Sequence, residues 1–163
     1  MPTRLLALLC LLLPFRANGF TLSQAPVTPD PGAGGQDYAE LWPHIGLQEA
    51  RRLHGSEGVV FVDGRSYREW QRSHIPGALA LPAGEFDKRY PLLRAALVHA
   101  KVVVCYCHGK SCGVADYVAQ RLADRGHRNL AVYSGGYPEW KEAGLPLEGA
   151  ASAKKTKPLK KPK

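Results

Sequence analysis

Three cysteines, Cys105, Cys107 and Cys112, fall within eight positions of the stretch "KVVVCYCHGKSCGVADYVAQRL", residues 101–122. Thiols grouped this closely can do nucleophilic, redox or metal chemistry. Period two along the β-branched run sends Val103, Cys105 and Cys107 to one side and Val102, Val104 and Tyr106 to the other. Cys105 lies inside the run, where a buried free cysteine behaves as a small hydrophobe, and it reads as core. Cys107 ends the run, and His108, Gly109, Lys110 and Ser111 follow before a helical pattern opens near Cys112. Such a loop can turn backbone N–H groups inward as an anion nest, with the helix N-terminus adding partial positive charge. Gly109 permits backbone conformations that other residues resist, and His108 and Lys110 add polar and cationic groups. Together these features predict a lowered pKa and a thiolate at Cys107. That thiolate could attack sulfur and carry a persulfide, whose charge the same nest would hold.

Two other chemistries stay open on these residues. Cys107 and Cys112 can close a disulfide if their Cα atoms come within about 7 Å, which would make Cys112 a resolving or regulatory thiol and require a reducing partner. Cys105, Cys107, Cys112 and His108 also supply ligand types suited to zinc or copper(I). Neighbouring strand positions fit poorly with four convergent ligands, so neither a metal nor a cofactor is expected.

The elements that must position this loop follow from periodicity and punctuation. "IGLQEARRLHG" sets Leu47, Ala50 and Leu53 on one helical face, with Gly55 as a C-terminal stop. "GVVFVDG" is a short apolar run of the kind buried on both faces of a parallel sheet. "SYREWQRS" is a short helix on which Ser66 and Glu69 form a capping box. "GALALP" is a strand, and "GEFDKRYPLLRAAL" is helical with a break expected near Pro91. In "CGVADYVAQRLADRG", Val114, Val118 and Leu122 recur at spacing four and Gly126 ends the helix. "NLAVYSGG" is the last strand and "YPEWKEAG" the last helix, with Pro138 in its first turn. Strands alternating with helices predict a doubly wound α/β fold, with its site beyond the carboxyl ends of the strands.

The two ends read differently from the middle. Arg4, the apolar run "LLALLCLLLPF" and small residues at Ala17 and Gly19 predict a signal peptide over residues 1–19. The run is short of the ~20 apolar residues that span a bilayer as a helix. Residues 20–36, rich in Pro and Gly, read as a flexible linker, and 37–148 as the folded domain. The formal net charge is +8, all of it accounted for by Arg4, Arg16 and six lysines in the last ten residues. The basic character therefore belongs to the tail, 149–163, which is expected to be disordered. Such a tail suits contact with an anionic surface. No aromatic and basic residues interleave within the domain, so nucleic-acid binding is not expected. These ends together predict a secreted or periplasmic protein, and Cys107 and Cys112 would work in a compartment where disulfides persist.

Beyond these features the chain resembles a rhodanese-like domain over nearly all of residues 44–148. "VVFVDGRSYREWQRSHIPGALALP" is similar to the family's strand, Asp-x-Arg, helix and His-Ile-Pro-Gly-Ala segment. "VVVCYCHGKSC" stands where the family has its Tyr-Cys active-site loop, and "SGGYPEWKEAGLPLE" is similar to the closing segment. The resemblance implies a three-layer sandwich, a central parallel sheet with helices on both faces. It implies a sulfurtransferase that carries a persulfide on Cys107, loads it from a sulfane-sulfur donor and passes it to a thiol acceptor. His108, Gly109, Lys110, Ser111 and Gly113 would form the cradle with Cys112, while Asp63, Arg65 and His74 would be structural. The same fold also serves as a non-catalytic binding module.

Three departures bear on the activity. The family's loop often ends in Arg-Ser, where this chain has Cys112 and Gly113. Thiosulfate-using members often have an arginine across the site near the position of Glu69. Related phosphatases need an arginine at the end of a longer loop, and Gly113 cannot hold an oxyanion in that way.

Overall fold

The computed structural model describes residues 41–150. The expected signal peptide and linker lie outside the described residues, as does the expected tail apart from its first two positions.

Five parallel strands form one sheet in the order β1-β5-β4-β2-β3: β1 His44–Ile45, β2 Val59–Asp63, β3 Leu79–Ala80, β4 Val102–Tyr106 and β5 Leu130–Tyr133. Among the described residues, four α-helices connect successive strands, α1 Leu47–Leu53, α2 Tyr67–Arg72, α3 Phe86–Val98 and α4 Val114–Asp124, and α5 Gly136–Glu142 follows β5. β4 is paired along its whole length with β2 on one side and from Val103 to Tyr106 with β5 on the other. A strand in that position is covered on both faces, which is why its sequence is a continuous apolar run with no polar alternation.

The period-two expectation for β4 divides the core in two. Val103, Cys105 and Cys107 join Val62, Val132 and the buried residues of α3 and α4 (Phe86, Tyr90, Leu97, Ala115, Val118, Ala119, Leu122). Val104 and Tyr106 join Phe61, Ala131, Tyr133, Ala50 of α1 and Trp140 of α5 on the opposite face. The expected three-layer α/β sandwich is therefore the observed one.

Local chemistry sets the element ends. Ser66 Oγ accepts from Glu69 N while Glu69 Oε2 accepts from Ser66 N, the reciprocal capping box read from the sequence. Gly126 (φ +90°) ends the turn after α4. Two expectations need correction. The helix expected to break near Pro91 instead runs unbroken from Phe86 to Val98. Pro91 lies on its exposed side, where water can satisfy the carbonyl that loses its partner, while Phe86, Tyr90 and Leu97 fasten the buried side. β1 was not expected at all. Its two residues are too short for any periodicity, and only pairing with Val132 and Tyr133 makes them a strand.

Candidate active site

Cys107 is the first residue past β4, at the carboxyl edge of the sheet. The loop from Cys107 to Gly113 turns back over it and enters α4 with Gly113 as N-cap. Two backbone hydrogen bonds and one glycine conformation fix the loop. Cys112 N donates to Gly109 O (2.9 Å), Tyr137 N donates to Cys107 O (2.9 Å), and Gly109 adopts φ +115°. The start of α5 presses on it from the far side. Gly136 holds φ +60°, and a Cβ there would collide with Cys107 O and lie 2.7 Å from Gly109 N. Only glycine fits both that conformation and that approach.

Cys107 is 2% exposed. Its S–H donates to the carbonyl oxygen of Cys112 at 3.1 Å. Burial pushes the Cys107 thiol up to about 12, and the neighbouring Cys112 adds to that, while the Ala115 and Gly109 amides act downward on the sulfur. This corrects the expectation of a lowered pKa. The inward amides are there, but desolvating a sulfur anion outweighs them in the resting thiol. Cys112 takes the lowered value in this pair. Partial burial opposes ionisation there, but the hydrogen bond from Cys107, the His108 and Val114 amides and the His108 ring more than offset it. Cys105 is fully buried, and desolvation holds its thiol far above the ordinary range, as its place in the core requires.

A second chain of contacts runs along the rim. His108 Nε2 lies 2.7 Å from Glu69 Oε1, and its Nδ1 lies 3.9 Å from Cys112 Sγ. Glu69 is held down to about 2: burial works against this, and hydrogen bonds from Ser66 and His108 overcome it. His108 is raised, its partial burial outweighed by Glu69 and Cys112. Glu69, which the sequence marked as a capping-box partner and as an acid where an arginine is common, is thus also the residue that orients His108.

Beside Cys107 opens a cleft of about 30 Å³, room for a group of roughly one water's size, lined by Cys107, Gly109, Lys110, Cys112, His44 and Asp116 among others. Ser111 and Gly113 stand exposed outside that lining. Asp63, Arg65 and His74 lie away from it. Arg65 Nε and Nη2 reach Asp63 at 3.0 and 2.6 Å, Nη2 also donates to Ser73 O, and the guanidinium stacks 3.9 Å over the Tyr137 ring. Because Tyr137 N holds Cys107 O, this buried pair reaches the loop through one intermediary. His74 Nδ1 bonds Trp70 O (2.7 Å), its ring stacks on Trp70, and its backbone bridges to Glu148. Among the described residues, no three His, Cys, Asp or Glu side chains converge as metal ligands.

Sequence reasoning missed His44, Asp116 and Ser134. His44 comes from the unforeseen β1, Asp116 from the first turn of α4, and Ser134 from the residue after β5. The one available signal was Asp116, an acid in the first turn of α4 four positions past Cys112.

Residues 46–143 match the rhodanese-like domain family. The chain belongs to that family. Among curated relatives, it is 36% identical over 101 residues to an HTH-type transcriptional regulator of Mycobacterium tuberculosis, covering 62% of this chain and 42% of that one. It is 33% identical over 102 residues to thiosulfate sulfurtransferase GlpE of Actinobacillus succinogenes, covering 61% and 84% respectively. The rhodanese-like chain therefore spans less than half of the first relative and most of the second. Among solved structures, the BH2092 protein of Bacillus halodurans superposes with TM-score 0.61 at 25% identity, over 70% of this chain and 82% of that one. The rhodanese-like domain of the Anabaena Alr3790 protein does so with TM-score 0.55 at 21% identity, over 74% and 88%. The protein EanB, solved in a complex with ergothioneine, shares the fold with TM-score 0.56 at 22% identity, over 66% of this chain and 28% of its own.

Proposed function

We propose that this rhodanese-like domain is a sulfurtransferase whose Cys107 carries a persulfide. The observation that supports this most directly is the seat of the Cys107 sulfur. It sits at the floor of a small cleft with the Gly109 and Ala115 amides directed at it. In the loading step Cys107 gives up its proton and its sulfur bonds the sulfane sulfur of a donor. The donor's S–S bond breaks, and the electron pair leaves with the remainder. The persulfide places its negative charge on the outer sulfur, further into the cleft that Lys110 helps to line, so it escapes much of the desolvation that holds the resting thiol neutral. A sulfur acceptor, a thiol in the simplest case, then takes the outer sulfur. Two relatives fit this chemistry: GlpE is a thiosulfate sulfurtransferase, and EanB has been captured with ergothioneine linked to a cysteine persulfide. Glu69 at the rim disfavours a dianionic donor, so we expect a monoanionic organic persulfide to load Cys107 faster than thiosulfate.

The lowered Cys112 favours a second step at the same site. A Cys112 thiolate attacking the inner sulfur of the persulfide in its protonated form, Cys107–S–SH, would form a Cys107–Cys112 disulfide and expel hydrosulfide, leaving a disulfide for a reducing partner to open. Asp63, Arg65 and His74 hold the framework in this scheme. Export through residues 1–19 and contact of the lysine tail with an anionic surface complete it. Among the described residues, no helix is long and apolar enough to cross a membrane.

The test is intact mass and peptide mapping of reduced protein after exposure to polysulfide or thiosulfate, with alkylation and no further reductant. One added sulfur on Cys107 supports the transferase. A Cys107–Cys112 disulfide that forms without any added sulfur, under every donor, replaces it with thiol–disulfide exchange.

A further inference from the structure

The wall of the cleft opposite the loop carries a polar chain that the persulfide scheme does not use. His44 Nε2 lies 2.9 Å from Asp116 Oδ1, and His44 Nδ1 lies 3.1 Å from Ser134 Oγ. The same carboxylate oxygen accepts from Trp42 Nε1 at 3.2 Å. The carboxylate can only accept, so Nε2 carries a hydrogen, and in the neutral ring Nδ1 is then the basic nitrogen, accepting from the Ser134 hydroxyl. Carboxylate, imidazole and hydroxyl are thus strung in line, and the lining of the cleft that holds Cys107 includes His44, Asp116 and Ser134.

The topology explains how they meet. His44 pairs in register with Val132, which lies on the Cys105 face of the sheet together with α4. Ser134 follows β5 just as Cys107 follows β4, with Tyr106 and Tyr133 in register before them. Ser134 N donates to Ile45 O at 3.1 Å, which fixes the end of β5 against β1.

We infer that Asp116, His44 and Ser134 form a proton relay serving Cys107, with Ser134 at the cleft and Asp116 and His44 positioning and recharging it. The inference rests on the persulfide reading and adds what that reading lacks. A thiol as deeply buried as Cys107 must lose a proton to load and regain one to discharge. The rim imidazole, His108, is engaged by Glu69 and turned toward Cys112. In loading, the Cys107 proton, held by Cys112 O at rest, passes by way of a water in the cleft to Ser134 and on to His44 Nδ1. In discharge, the acceptor thiol gives its proton to the relay while its sulfur bonds the outer sulfur. The Cys107–sulfur bond breaks, the electron pair returns to Cys107 Sγ, and the relay reprotonates it. Cys107–S–S⁻ and R–SH become Cys107–SH and R–S–S⁻, with charge and hydrogens conserved. The other titratable groups around His44 are Lys110 and Cys112 of the loop, Cys107 itself and Tyr133 of β5.

The experiment is the pH dependence of two rates in wild type and His44→Gln, whose amide can still bridge Asp116 and Ser134 but cannot exchange a proton in the neutral range. One rate is discharge of preloaded Cys107 to a small thiol such as glutathione. The other is alkylation of unloaded Cys107 by iodoacetamide, resolved from Cys112 by peptide mapping. The relay predicts a pH inflection in both rates that His44→Gln loses, together with about a hundredfold of discharge rate. Profiles and rates equal to wild type in the variant would overturn the relay while leaving the persulfide reading intact. Should wild type never load, that reading fails and the alkylation profiles alone decide the relay. If His44→Gln does not fold, Ser134→Ala removes the hydroxyl alone and is held to the same two readouts.

Discussion

The buried thiol of Cys107 is tied to the backbone of Cys112, donating to its carbonyl oxygen at 3.1 Å, while the Cys112 sulfur faces His108. The two cysteines of one loop therefore have different chemistry. The inner one is protonated and shielded, and the outer one is the readier thiolate. Cys112→Ser is expected to keep persulfide loading on Cys107 and to abolish any hydrosulfide release that goes through a Cys107–Cys112 disulfide. Cys107→Ser is expected to abolish loading. Mass analysis of each variant after polysulfide treatment checks both outcomes.

The clamp between α5 and the loop gives a second expectation. Gly136→Ala puts a methyl against Cys107 O and into a backbone conformation of φ +60°. The strain amounts to about 1–3 kcal/mol, and relief would come from pushing the Cys107–Gly109 segment outward. The variant should melt several degrees lower and load sulfur at least tenfold more slowly. Gly77, also at positive φ but with nothing within 4 Å of a Cβ, is the control. Gly77→Ala should share the backbone cost and keep the loading rate.

How far the sequence carried follows from what kind of interaction made each part. β4 was legible to the individual side chain because a central parallel strand writes its burial directly into a β-branched run. The capping box at Ser66 was legible because both partners lie three residues apart. The site was legible only where it is local, from Cys107 to Cys112. His44, Asp116 and Ser134 come from three separate elements, and His108 meets Glu69 across 39 positions, so no spacing could announce them. The pKa of Cys107 was misjudged for a related reason. The amides that lower it belong to the loop and can be anticipated, whereas the burial that raises it comes from packing by α4 and the sheet.

The rim pair should control Cys112. With His108 raised and Glu69 held near 2, the protonated imidazole faces the Cys112 sulfur across a wide pH range. His108 contributes stability that is full below its unfolded value of 6.5 and is lost as pH rises through its raised folded value. Glu69 contributes stability that is full above 4.5 and is lost as pH falls through about 2. The pair is therefore complete between 4.5 and 6.5. Both side chains are more than a third exposed, so the effect on global stability is small. The effect on the thiol is what can be measured. Glu69→Gln and His108→Gln should each slow Cys112 alkylation at neutral pH several-fold and shift its pH profile upward.

The buried Asp63–Arg65 pair gives the last expectation. Their side chains are 0% and 4% exposed, and the guanidinium also holds Ser73 O and covers the Tyr137 ring. Removing one partner leaves the other charged and desolvated, at a cost of about 3–5 kcal/mol. Asp63→Asn keeps the volume and some hydrogen bonding, so its loss should fall toward the lower end, with Arg65→Leu near the upper. Denaturant melts check the magnitudes. Tyr137, which Arg65 steadies, donates to the Cys107 carbonyl. Asp63→Asn protein that remains folded should therefore also load sulfur more slowly, and loading at the wild-type rate would show that the pair supports the sheet edge without reaching the loop.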